Sequence, residues 1–164
     1  MELFIIRHAW AEARDPDRWP DDGERPLLPE GRNRFSEVVN KLRKRGMSPE
    51  VVASSPLVRC RQTAEIVSEI CVGEPPVVEL DALAPGSDLD ELMHWTEQQS
   101  RDCSQVAWVG HAPDVGRLTA EVVGDEMGQI RFAKGAVALV RFDGLPEPGE
   151  GELRWLATAK VLGC

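Results

Sequence analysis

A chain of 164 residues has the length of one ordinary domain and can bury a core without disulfide or metal staples. Its 42% hydrophobic and 29% charged content excludes a disordered tail. No stretch approaches the roughly 18 apolar residues that a membrane span requires. The formal net charge of −9 excludes a general nucleic-acid binder, because phosphate backbones demand clustered cations, yet it leaves room for a small basic pocket.

The apolar run Leu3 to Ile6 is too short for a signal sequence and is followed at once by Arg7 and His8, so a soluble, cytoplasmic protein is expected. The cysteines, Cys60, Cys71, Cys103 and Cys164, show neither close pairing nor metal-ligand spacing and are read as reduced thiols. No internal repeat, low-complexity tract or linker divides the chain, and a single domain over residues 1–164 is expected.

In chain order, Glu2 to Ile6 reads as a strand buried on both faces, as in a parallel sheet. Ala9 to Pro29 is a long polar loop carrying Pro16, Pro20, Pro26 and the turn signal Asp21-Asp22-Gly23. From about Glu30 to Arg45, Phe35, Val38, Val39 and Leu42 fall at i, i+3, i+4, i+7 and predict a helix stopped by Gly46. Val51 to Ala53 is a short strand. Ser54-Ser55-Pro56 then supplies a capping serine and a proline suited to the first turn of a helix, with Cys60, Ala64, Val67 and Cys71 on one stripe. Val77 to Leu80 is another strand, Leu89, Leu92 and Met93 mark a helix, and Val106 to Val109 is a fourth strand. Pro113 precedes a helix with Val115, Leu118 and Val122. Ala136 to Phe142 and Glu152 to Thr158 read as a hairpin. Alternating strands and helices with a β-rich end predict an α/β fold, a three-layer α/β/α sandwich around a mostly parallel sheet.

Polar groups recur just past the predicted parallel strands: Arg7-His8 after the first, Ser54 to Arg61 after the second, Gly110-His111 after the fourth. Ligands of open α/β sheets bind outside the carboxyl ends of the strands, so neighbouring strands would bring two histidines and two arginines into one cleft. Arg59 falls in the first turn of its helix, where unpaired N–H groups favour an anion; the alternative is a pairing with a surface carboxylate.

These residues also carry a resemblance. Arg7-His8-Ala9 resembles the Arg-His-Gly signature of the histidine phosphatase superfamily. Ser54-Ser55-Pro56-Leu57-Val58-Arg59-Cys60-Arg61-Gln62-Thr63-Ala64 is similar to its second motif, and Val109-Gly110-His111-Ala112-Pro113 to its third. The short chain and Arg25-Pro26-Leu27-Leu28-Pro29-Glu30-Gly31 are most similar to the SixA-type phosphohistidine phosphatases. Ala9 departs from the glycine of the common signature, a small-for-small change. Between the second and third motifs only Val72 to Gln105 are available, too short for the helical cap of larger members.

The resemblance implies a phosphoglycerate mutase-like fold with a minimal cap. It also implies a phosphatase in which His8 becomes phosphohistidine while Arg7, Arg59 and His111 hold the phosphoryl oxygens. No metal or cofactor is implied. The expected substrate is phosphohistidine in a protein partner, a phosphotransfer domain or phosphocarrier, with inorganic phosphate as product; neither nucleic acid nor membrane is an expected partner. The alternatives are hydrolysis of small phosphomonoesters and a catalytically silent phosphate-recognition module. The superfamily supplies a general acid after its third strand, and in Leu80 to Asp88 the candidate is Asp81, whose other reading is a solvated turn aspartate.

Arg25 either reaches the phosphate or pairs with Asp21 or Asp22 to order the long loop. Arg61, His94 and Lys134 read as surface residues. Trp108 and Trp155 read as core or sheet-face residues, and Trp10 and Trp19 as loop anchors or a docking surface for a protein partner.

Overall fold

The computed structural model describes residues 1–125 and 127–164. Six strands form one sheet: β1 (Glu2–Arg7), β2 (Val51–Ser54), β3 (Val77–Glu79), β4 (Gln105–Gly110), β5 (Val137–Arg141) and β6 (Glu152–Ala157). Their spatial order is β3-β2-β4-β1-β5-β6. β3, β2, β4 and β1 run parallel, and β5 and β6 add an antiparallel edge. The helices are α1 (Pro29–Arg43), α2 (Val58–Ile70), α3 (Leu89–Gln99), α4 (Asp114–Val122) and the single turn α5 (Ala159–Leu162).

Alternation along the strands separates two cores. Phe4, Ile6, Val52, Ala107, Val109, Val137 and Leu139 face one side with Phe35, Val39 and Leu42 of α1 and Ala64 and Val67 of α2. Leu3, Ile5, Val51, Ala53, Val106, Trp108, Ala138 and Val140 face the other with Leu92 of α3 and Val115, Leu118 and Val122 of α4. A period of two on strands buried on both faces reads as an unbroken apolar run, and that is why β1 and β4 stand out in the sequence. The result is the expected α/β/α sandwich with a mostly parallel centre. No helix among the described residues is long and apolar enough to cross a membrane.

One local expectation is corrected. Ser55 does not cap α2: the helix begins two residues beyond Pro56, with Leu57 as its cap residue and no side-chain cap. Ser55 is fully buried, and its hydroxyl turns to the His111 ring instead. The long loop is also less irregular than expected. It holds a bridge between Ala11 and Leu27 and a 3-10 turn over Asp22–Glu24, capped by the Asp21 carboxylate, which accepts from Gly23 N at 2.8 Å.

Candidate active site

The register of the parallel strands brings the three motifs together. Arg7 is opposite Gly110, and Ser54 is opposite Val109, so β1, β4 and β2 end level with one another. The ladder continues past the strands: His8 N donates to Gly110 O at 3.0 Å and Ser55 N donates to Val109 O at 3.0 Å. The side chains of His8 and His111 therefore meet at the carboxyl end of the sheet, their ring centroids 5.4 Å apart and tilted by 58°. His8, His111 and Arg59 are 7%, 4% and 5% exposed, so the three are walled in rather than displayed.

His8 Nδ1 lies 2.8 Å from the Ala9 carbonyl oxygen. A carbonyl only accepts, so Nδ1 carries the proton and Nε2 keeps the lone pair. Burial pushes the imidazole down to about 3, opposed by the bond to the Ala9 carbonyl, with His111, Arg59 and Arg7 adding smaller downward pushes. His111 is pushed down to about 4, first by burial and then by Arg59, with Asp22 opposing. Both rings are neutral near pH 7.

The arginines are held from behind. Arg7 Nη1 donates to Phe132 O at 2.8 Å, and Arg59 Nη1 donates to Asp22 O at 2.8 Å, with Asp22 Oδ2 at 3.3 Å. The Nε–H groups of Arg7 and Arg59 are both buried without an acceptor among the described residues. Buried donors of a charged fork without acceptors are costly, and such a pair is suited to an oxyanion.

Several residues that support the site carry no obvious signal in the sequence. Ser55 Oγ is 2.9 Å from His111 Nε2, and the Cys60 thiol is 3.4 Å from the same nitrogen. Burial pushes that thiol up to about 12, so it is protonated and packs against the ring as a weak donor. Thr63 ties α2 to the nucleophile: its hydroxyl accepts from Ala9 N at 3.1 Å and donates to Arg59 O at 2.6 Å. Asp22 bridges Arg59 and Arg25 at the mouth. The spacing of the second motif would have pointed to Thr63, because it lies one helical turn after Arg59.

Of the two readings of Arg25, the pairing is the one the geometry displays. Its Nε donates to Asp22 Oδ1 at 3.1 Å and its Nη1 to Glu12 O at 2.7 Å. Asp81 lies exposed in a 3-10 turn after β3, and no hydrogen bond or ion pair joins its carboxylate to another described residue. Arg61 pairs with Glu79 at 3.4 Å on the surface. His94 is exposed beside Gln98, and Lys134 is exposed in a loop. Trp108 is fully buried and donates to Thr96, while Trp155 is tilted against Phe4. Trp10 anchors the long loop: its carbonyl accepts from Leu28 N, and Arg34 stacks on its ring at 4.4 Å. Trp19 is half-buried under Arg18.

Residues 3–130 match the family model described as histidine phosphatase superfamily, branch 1. The chain is 31% identical to the phosphohistidine phosphatase SixA of Escherichia coli strain K12 over 157 residues, covering 94% of this chain and 92% of that one. It is 34% identical over 129 residues to an uncharacterized protein of Picosynechococcus sp., covering 78% of this chain and 76% of the other. Among solved structures it superposes on the protein histidine phosphatase SixA complexed with tungstate with a TM-score of 0.86, at 28% identity and 99% coverage of both chains. With two neutral imidazoles and two arginines clustered at the carboxyl end of the parallel strands, and with the family model spanning most of its length, the chain belongs to the histidine phosphatase superfamily.

Proposed function

We propose that this protein is a phosphatase that removes phosphoryl groups from phosphohistidine carried by a protein, with His8 as the nucleophile. The observation that carries the reading is the pairing of a neutral His8, whose Nε2 lone pair is free, with two arginines whose buried Nε–H groups lack acceptors among the described residues. The related SixA structure is complexed with tungstate, a tetrahedral oxyanion of phosphate shape, which supports an oxyanion as the ligand of this chain.

In the first step His8 Nε2 attacks phosphorus, a new N–P bond forms, and the P–N bond of the substrate breaks. The leaving imidazole departs neutral when its other ring nitrogen carries a proton. In the second step water attacks the phosphorylated His8, releasing inorganic phosphate and restoring the free ring. Arg7, Arg59 and His111 hold the equatorial oxygens, so catalysis is mostly positioning and charge stabilisation. Arg25 adds positive charge from behind Asp22. Asp81 is the candidate acid for alkoxide leaving groups. Imidazole leaves with far less help than an alkoxide, so an exposed, unanchored carboxylate suits a phosphohistidine substrate.

The test is phosphate release from a phosphohistidine-bearing protein beside a panel of small phosphoesters, with His8→Ala as control. Faster release from the phosphoprotein, cut at least about a thousandfold in the variant, is expected. Efficient turnover of one phosphoester alone would move the activity to a small metabolite. Phosphate binding without cleavage of either would leave a recognition module.

A further inference from the structure

Beside the phosphate-binding end of Arg7 a cleft of about 310 Å³ opens, lined by Arg7, Pro113, Gly116, Ile130, Arg131 and Phe132. A second cleft of about 400 Å³ shares Pro113, Gly116, Ile130 and Arg131 and extends to Arg117 and Gln129. Because they share these walls, the two form one groove that reaches Arg7, of a size that accommodates ligands. Its wall is the segment 130–135, which is bonded to the machinery at both ends: Phe132 O accepts from Arg7 Nη1 at 2.8 Å, and Gly135 N donates to His8 O at 3.1 Å.

Arg131 and Lys134 stand exposed on that segment. Some exposed arginines elsewhere have carboxylate partners, as in Arg18–Glu12, Arg141–Asp143 and Arg154–Glu152. Acidic residues outnumber basic ones by 28 to 19, and Arg131 differs from the other exposed arginines in lining a groove together with Arg7. Among the described residues neither Arg131 nor Lys134 forms an ion pair. Arg131 is moreover close enough to Arg7 to disfavour its charge, second only to burial. Keeping two guanidinium groups together without a counter-charge costs free energy, which an anion bound between them would recover.

We propose that this groove is a specificity subsite in which Arg131, assisted by Lys134, binds an acidic side chain flanking the phosphohistidine of the protein substrate. The proposal rests on the phosphatase reading given above. The occupant is a peptide segment because the groove is open and reaches Arg7, and an acidic one because Arg7 and Arg131 line it together and Arg131 has no carboxylate partner among the described residues. Arg131 touches no reacting atom here; it determines which phosphoprotein is held, not how phosphorus is attacked.

The experiment compares two phosphohistidine peptides, one with acidic and one with neutral residues flanking the phosphohistidine, on the wild-type chain, Arg131→Lys, Arg131→Glu and Lys134→Glu. The wild type is expected to favour the acidic peptide by about fivefold or more in kcat/KM, carried by KM, with the preference shrinking as salt is raised. Arg131→Lys should keep most of the preference, whereas Arg131→Glu should abolish or invert it and Lys134→Glu should reduce it. Equal use of both peptides by the wild type, or equal losses on both in Arg131→Glu, would overturn the subsite while leaving the phosphatase reading standing. Turnover of neither peptide by the wild type would overturn the phosphatase reading and the subsite with it.

Discussion

At the scale of single residues, the Ala9 carbonyl accepting from His8 Nδ1 at 2.8 Å decides which ring nitrogen is left as the nucleophile. The same burial that aims the ring keeps it neutral. In a proton NMR titration the ring signals of His8 and His111 should therefore stay at their neutral positions from pH 8 down to pH 5, since they are pushed down to about 3 and about 4. Movement of either signal with a midpoint near 6.5 would mean a solvated ring and a different pocket. The Asp81 carboxylate belongs to the same scale. For Asp81→Asn, turnover of an alkyl phosphoester is expected to fall about a hundredfold, and turnover of phosphohistidine at least tenfold less than that. Equal losses on the two substrates would sink the leaving-group account. Ser55 shows how residue-level reading can mislead. A serine before a proline and an apolar stripe resembles a helix cap, but the hydroxyl finds a better partner in His111 at 2.9 Å across the sheet.

At the scale of elements, the strands were legible and their supports were not. β1 and β4 are apolar on both faces, so their boundaries emerge from composition alone, and Arg7-His8 and Gly110-His111 fall at their ends. The packing of α4 on segment 128–132 leaves no such trace. A Cβ at Gly116 would come within 2.1 Å of the Ile130 carbonyl oxygen, so only glycine lets the helix approach the strap that holds Arg7 through Phe132. Gly116→Ala should displace that strap. The expected result is a destabilisation of about 1–3 kcal/mol, read as a lower unfolding midpoint. Binding of inorganic phosphate should weaken in parallel, measured by calorimetry. An unchanged phosphate affinity would show that Arg7 does not depend on the strap.

At the scale of the whole molecule, the shifted groups that titrate in acid are biased in one direction. His8 and His111 lie below the ordinary histidine value because they are buried. Asp22 lies below the carboxylate range chiefly because Arg25 bonds it, and Glu50 because Ser104 and Gln105 donate to it. The folded chain thus holds fewer protons than the unfolded chain in acid. Each depressed group contributes stability above its unfolded value, and that stability is lost as pH falls. The histidine contribution should start to go below about pH 6.5 and continue to between pH 4 and pH 3, with the carboxylates adding to the loss below about pH 4. The urea midpoint at pH 5 should therefore lie below that at pH 7.5; a flat or rising midpoint would be incompatible with two buried neutral imidazoles. The sequence by itself determined the strand and helix alternation, the strand ends that carry His8, Arg7, Arg59 and His111, and the family resemblance. Hydrophobic patterning records the alternation and the strand ends directly, and the resemblance rests on the local motifs. Only the tertiary structure decided that β4 lies between β1 and β2, that Ser55 turns to His111, that Asp22 engages Arg59, and that Arg131 lies beside Arg7. Strand order and long-range pairing depend on which surfaces bury together, and residues far apart in the chain leave no periodic mark of one another.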